Sequence, residues 1–250
     1  MPYLREIRLN REQVDTFDHY PFSIPAVHTL ETLPFHPNVT FFVGENGSGK
    51  STIIEAIATL MGFGPEGGTK NVRIQSTDDI SPLYEYLQPI KNFRTPRDYY
   101  FLRAESFYNV ATYMDEVGYL AEYGGQSLHE RSHGEAFLAT LTNKLKGNGL
   151  YIFDEPEAAL SPTRQMVALS AIHQLVERDS QFVIATHSPI LLSYPNAKIL
   201  QLNERGMAEV RYEETEHYTV TRDFLNNYEQ MLHLLLDEGE MEEGGAALYE

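Results

Sequence analysis

Val39-Thr40-Phe41-Phe42-Val43 runs directly into Gly44-Glu45-Asn46-Gly47-Ser48-Gly49-Lys50-Ser51-Thr52, and this junction decides the fold. The first five residues are β-branched or aromatic and end abruptly, as a strand buried on both faces does. From Ser51 to Met61 apolar residues recur at spacings of three and four, the pattern of a helix. The nine residues between satisfy G-x-x-x-x-G-K-[ST], in the strand-to-helix context that the motif requires. Its glycines let the backbone curl until successive N–H groups point inward, and the positive end of the helix reinforces that anion-binding cup. Phosphate is the natural occupant. Lys50 is expected to reach the β- and γ-phosphates. The Ser51 hydroxyl suits Mg2+, which prefers oxygen ligands and retains water.

Outward from this loop, three more apolar runs read as buried strands, Leu150 to Phe153, Phe182 to Ala185 and Ile199 to Leu202. Helical periodicity at Arg164 to Glu177 and Thr221 to Leu236 alternates with them. Ser161-Pro162 and Ser188-Pro189 each pair an N-cap hydroxyl with proline at the first helical position. The expected architecture is an α/β P-loop NTPase, with a mostly parallel central sheet flanked by helices. The run Leu150-Tyr151-Ile152-Phe153-Asp154-Glu155 delivers two carboxylates to the end of a buried strand, where nucleotides bind in such sheets. Two buried acids are costly without a cation. Mg2+ held by Asp154 resolves that cost, and Glu155 can then accept a proton from the attacking water. Gly62, Gly64 and Gly67 also spell G-x-G-x-x-G, but they follow a helix rather than a strand, so a dinucleotide fingerprint is rejected.

With these motifs in order, the sequence resembles the ABC-type ATPase superfamily, which includes transporter motor domains and the heads of chromosome-maintenance and recombination-repair ATPases. Gly44 to Thr52 matches that family's Walker A loop, and Tyr151 to Ser161 resembles its Walker B strand and D-loop. Ser132-His133-Gly134-Glu135 resembles its signature, and Ala185-Thr186-His187-Ser188 its switch-histidine loop. From Lys50 to Ser132 is 82 residues, from Ser132 to Asp154 is 22, and from Asp154 to His187 is 33. The resemblance implies an ATP-dependent, head-to-tail homodimer with ATP and Mg2+ as ligands. Lys50, Glu155 and His187 are its implied catalytic residues, His187 contacting the γ-phosphate in cis. Ser132 and Gly134 are implied to close over the partner's γ-phosphate, and Ser161 to line the seam. His133, Glu135 and Arg131 depart from the usual signature. Glu105 is the implied counterpart of a metal-sensing glutamine, and Phe17, Tyr20 and Phe22 lie at a plausible distance to stack on adenine.

The 82 residues between Lys50 and Ser132 contain Pro82, Pro89 and Pro96, which exclude a long coiled-coil arm. The stretch from Asp154 to Ser161 and the departures from the usual signature look more like the compact, soluble ATPases near the repair and anti-phage branches than like a transporter motor. A nucleotide-gated binding module with little hydrolysis and a transporter motor subunit are the rival readings, and the partner protein on which the cycle acts is unknown. The expected division is a nucleotide-binding core at 1–61 and 131–236, a partly helical inserted lobe at 62–130, and an acidic tail at 237–250. Eight of the 16 tyrosines lie between Tyr84 and Tyr123, mixed with arginines that could hold nucleic acid. Neighbouring acids neutralise that basic charge.

The 250 residues carry 36 acids and 19 bases, a net charge of −17, of which −10 falls in Glu204 to Glu250. Such a field repels polyanions and argues against a DNA-coating role. No cysteine is present, so disulfides, thiolate zinc sites and cysteine nucleophiles are excluded. No uncharged apolar run approaches the roughly 18 residues of a membrane span, and Met1 to Gln13 is charged where a signal peptide is apolar. A soluble, cytoplasmic chain without direct membrane insertion is expected.

Overall fold

The strand, loop and helix expected around Val39 to Thr52 lie at the centre of the computed structural model, which describes residues 2–70, 80–116 and 132–236. Among the described residues the elements run β1 (Leu4–Leu9), α1 (Pro25–His28), β2 (Thr32–Pro34), β3 (Val39–Val43), α2 (Lys50–Leu60), β4 (Leu87–Lys91), β5 (Asp98–Arg103) and α3 (Phe107–Glu116). They continue with α4 (His133–Ala139), β6 (Gly149–Asp154), α5 (Pro162–Val176), β7 (Gln181–Ala185), α6 (Pro189–Leu192), β8 (Lys198–Asn203), β9 (Gly206–Val210), α7 (Glu216–Asn226) and α8 (Tyr228–Leu236). None of the described helices is long and apolar enough to cross a membrane.

Six strands form the central sheet in the order β5-β6-β7-β3-β8-β9, parallel except for the β8–β9 hairpin. All four strands expected from apolar runs are in it. Their runs are continuous because both faces of the sheet are covered. Phe41, Tyr151, Phe153, Phe182 and Ile184 point into one core, with Phe137 of α4 and Ala168 and Ile172 of α5. Their strand neighbours Phe42, Leu150, Ile152, Val183 and Ala185 point into the other, with Ile53, Ile54 and Ile57 of α2. Burying each large side chain contributes roughly 1.5–3 kcal/mol.

The second core is closed by an antiparallel sheet in the order β2-β1-β4. Gln181 ties that sheet to β7 from a fully buried position. Its Oε1 accepts from the backbone N–H groups of Tyr3 and Leu4, and its Nε2 donates to the carbonyls of Leu4 and His36. With both polar atoms satisfied, its burial carries no orphaned group.

Part of the stretch 62–130, expected as an inserted lobe, is described. Here β4 pairs with β1, and β5 joins the edge of the central sheet beside β6. Pro89 is tolerated because β4 is an edge strand. Gly68 pairs with Phe101 of β5, so the rejected glycine pattern leads into a sheet contact. Tyr100 is buried in the first core, and Tyr84, Tyr86 and Tyr99 pack against the second, so these aromatics fill space rather than form a stacking surface. Tyr119, Tyr123, Arg131 and the acidic tail at 237–250 lie outside the described residues.

The helix expected over Thr221 to Leu236 is two helices. Asn227 leaves the helical region at φ −133°, ψ 30°, and its side chain turns back to donate to the Asp223 carbonyl. That competing local hydrogen bond is the habit that makes Asn a poor helix former. Ser161 and Ser188 cap α5 and α6 as expected, with Pro162 and Pro189 at the first helical positions.

Candidate functional site

The carboxyl ends of β5, β6, β7 and β3 carry Arg103, Asp154, the Thr186-His187 turn and the glycine loop, so adjacent strands present their chemistry at one edge of the sheet. Gly44 begins the loop. A Cβ there would sit 2.5 Å from the Leu202 carbonyl oxygen, so no side chain fits. Gly49 adopts φ +96° and also presses on Ile24, where a Cβ would be 2.5 Å from a side-chain carbon. It serves as the N-cap of α2, and no side chain satisfies the amides of that helix start. Glu45, Asn46, Gly47 and Ser48 form one wall of a cleft of about 630 Å³ that faces Gln201–Arg205.

Lys50 is 4% exposed, and its Nζ donates to the carbonyls of Gly44 and Glu45, each at 2.9 Å. Burial lowers its pKa, while Glu155, Asp154 and Glu157 act in the opposite direction. Ser51 Oγ donates to Asp154 Oδ1 at 3.2 Å, which brings the two expected metal ligands together across the sheet. Thr52, next along α2, lies 3.4 Å from the Tyr20 hydroxyl. Of the three candidate adenine partners, Tyr20 is 62% exposed beside the loop, whereas Phe22 is buried and Phe17 packs edge-on against Phe22 and His28.

Asp154 is buried, and burial pushes its pKa up to about 6 against the opposing pull of Arg103. The guanidinium is 3.9 Å from Asp154 Oδ2 through Nε and 2.8 Å from Glu55 Oε2 through Nη1. Glu105, read as a glutamine counterpart, is 81% exposed at its side chain and pairs with Arg103 Nη2 at 3.3 Å. Arg103 was not singled out from the sequence as a site residue. Its strand ends on one charged residue as β6 does, and that was the available signal.

A buried acid held mostly by one hydroxyl and one distant cation, beside a buried ammonium and the partnerless Ser48 hydroxyl, fits Mg2+ and a polyphosphate. The raised pKa has a consequence for stability. Because the folded-state pKa exceeds the unfolded one, Asp154 favours the folded state below about pH 4, and this contribution is lost as pH rises through about 6. Asp154→Asn should therefore stabilise the nucleotide-free protein at pH 7, by on the order of 1–3 kcal/mol. Thermal unfolding checks it: the gap between variant and wild type should narrow at pH 5, and equal midpoints at pH 7 would refute it.

Glu155 sits at φ 51°, ψ 51°, an uncommon left-handed conformation for a residue other than glycine. Its N–H donates to the Ala185 carbonyl at 3.0 Å, which fixes the turn after β6 to the end of β7. Its Oε1 is 3.5 Å from His187 Nε2. Half-buried Glu157 accepts a hydrogen bond from the His187 N–H, a clamp between the two turns that the sequence reading did not anticipate. The other ring nitrogen, Nδ1, lies 2.8 Å from Nε2 of His217 in the first turn of α7. Burial, with His187 and Lys50 nearby, lowers the His217 pKa to about 4.

Ser132 caps α4 in a capping box with Glu135, and Arg164 donates to both, at 3.1 Å to Ser132 Oγ and 3.0 Å to Glu135 Oε1. A Cβ on buried Gly134 would lie 2.7 Å from the Ala159 carbonyl oxygen, so glycine lets α4 pack on the turn that follows Glu155. Ser132 and Gly134 thus meet Arg164 of α5 and the turn after β6. Ser161 caps α5.

A family model for an AAA domain matches residues 24–116. A Bacillus cereus protein described as an ABC transporter ATP-binding protein is 27% identical over 189 residues, covering 66% of this chain and 32% of that protein. The chromosome partition protein Smc of Mycobacterium leprae is 45% identical over 49 residues, 20% of this chain and 4% of that one. The chain therefore spans about a third or less of the length of these relatives. The solved structure of cbiO1 from Clostridium perfringens, part of the ABC transporter complex cbiONQ, matches with a TM-score of 0.50 and 17% identity, over 94% of this chain and all of that one. Over residues 24–116 the chain is similar to an AAA domain, and its sheet, loop and layers have the fold of an ABC-type ATPase.

Proposed function

We propose that the chain binds Mg-ATP and hydrolyses it in a head-to-tail homodimer whose opening and closing acts on a partner protein. The observation that carries this reading is the convergence of Lys50, Ser51, Asp154, Glu155 and His187 around one glycine loop. Lys50 and the amides of the loop hold the phosphates, exchanging the carbonyls that Lys50 now contacts for stronger, charge-assisted bonds. Ser51 and Asp154 would hold Mg2+, which would supply positive charge to neutralise the phosphate oxygens. Glu155 orients a water and takes its proton as the new P–O bond forms and the bond to the ADP oxygen breaks. His187 donates to a γ-phosphate oxygen. Ser132, Gly134 and the backbone amides at the start of α4 complete the site on the second copy, which agrees with their contacts to Arg164 and the Ala159 carbonyl. Tyr20 is the aromatic available to the adenine ring.

The expected behaviour is a specific phosphate-release activity that rises with protein concentration. Steady-state release measured over a dilution series checks it: constant specific activity contradicts the dimeric site, and no release contradicts hydrolysis. The Bacillus cereus relative favours a second reading, a transporter motor subunit. Co-purification with an integral membrane protein would support that reading in its place.

A further inference from the structure

We propose that His217 is a positioning residue that holds His187 as the tautomer protonated on Nε2, the form able to donate to the γ-phosphate. The proposal rests on the hydrolytic reading above, and its grounds are geometric. One hydrogen bond joins His187 Nδ1 to His217 Nε2 at 2.8 Å, so between two neutral rings one nitrogen carries the proton and the other a lone pair. The outer nitrogens, His187 Nε2 and His217 Nδ1, are both buried and have no hydrogen-bond partner.

Two arrangements are possible, and they differ at both ends. If His187 donates from Nδ1, its Nε2 is a bare lone pair facing the Glu155 carboxylate 3.5 Å away, which is repulsive. His217 must then carry its proton on Nδ1, where a buried N–H has no acceptor, and such orphaned donors are rare and costly. If His217 donates from Nε2, both faults disappear. His187 then presents Nε2–H towards Glu155 and the phosphate site, and His217 Nδ1 is left with only an unshared pair. The low pKa of His217 keeps it neutral, as this arrangement needs.

The ring of His217 is fixed by its surroundings. Thr215, the buried N-cap of α7, donates through Oγ1 to the Tyr212 carbonyl, and the Tyr212 hydroxyl donates to the Pro189 carbonyl at the start of α6. The first turn of α7 is thereby fastened to the segment that follows His187. A partner that orients the ring and fixes the tautomer of a functional histidine is a common supporting device.

The test uses the full chain with His217→Phe, which keeps a planar ring without a donor, and His217→Gln, whose amide nitrogen can reach the position of the lost Nε2–H. His217→Phe should lower kcat about 10- to 100-fold, with Mg-ATP affinity within about threefold of wild type, and His217→Gln should restore most of the rate. Nitrogen-15 NMR of the imidazoles should show His187 protonated on Nε2 in the wild type and a tautomer mixture in His217→Phe. Wild-type kcat in His217→Phe, equal losses in both variants, or His187 protonated on Nδ1 in the wild type would overturn the proposal. If the wild type releases no phosphate, the hydrolytic reading fails, and the NMR result still decides whether His217 sets the tautomer.

Discussion

Glu155→Gln is expected to slow ATP turnover by about 100-fold or more while leaving Mg-ATP binding intact. Removing a general base typically costs 10²–10⁴ in rate, and Gln keeps the size and shape of the side chain. The substitution should not disturb the turn, because the left-handed backbone at Glu155 is held by its N–H bond to Ala185 and Gln meets the same demand. The amide oxygen can take the place of the carboxylate oxygen 3.5 Å from His187 Nε2, so the neighbouring ring need not move. With cleavage blocked, ATP stays at the shared interface and the dimer should persist. Single-turnover phosphate release and light scattering with ATP check both parts, and a variant that cleaves at the wild-type rate removes Glu155 as the base.

Lys50→Ala is expected to weaken Mg-ATP binding about 100-fold or more, since charge-assisted hydrogen bonds contribute roughly 1.5–3 kcal/mol each and 1.4 kcal/mol is a factor of ten. Its ammonium is the cation buried between the glycine loop and the acids Asp154, Glu155 and Glu157. Without it, the site would present carboxylates to a polyanion. Affinity by equilibrium titration, with a thermal melt to show that the variant is folded, checks this, and unchanged affinity would contradict the assignment of the loop.

Much of this site was legible in the sequence because its chemistry is local. Glycines, lysine and serine fall within nine residues, directly after a strand whose apolar run is unbroken. The strands β3, β6, β7 and β8 could be read for the same reason: each lies inside the central sheet between two cores. The antiparallel strands β1 and β4 were not legible. In β1 the buried positions are Leu4, Ile7 and Leu9, so alternation is interrupted where a bulge lies between Leu4 and Glu6. The edge strand β5 was not among the strands read from apolar runs, and Tyr84, Tyr86, Tyr99 and Tyr100, weighed in the sequence as part of a nucleic-acid surface, pack in or against the cores.

What escaped the sequence at the site itself depends on contacts between distant positions. His187 meets Glu157 and His217, each 30 residues away, and Arg103 meets Glu55 across 48. No local pattern announces such a pair. Glu157 lies within a stretch already assigned to the turn after β6, but its clamp on His187 emerges only when β6 and β7 are aligned.

Isothermal titration of the full chain with ATP, in the presence and absence of Mg2+, tests most directly whether this pocket is built for a metal-bound triphosphate. The expected result is saturable binding of one nucleotide per chain that weakens sharply when the metal is chelated. Absence of any binding heat with nucleotide and Mg2+ together, from folded protein at several temperatures, would contradict it.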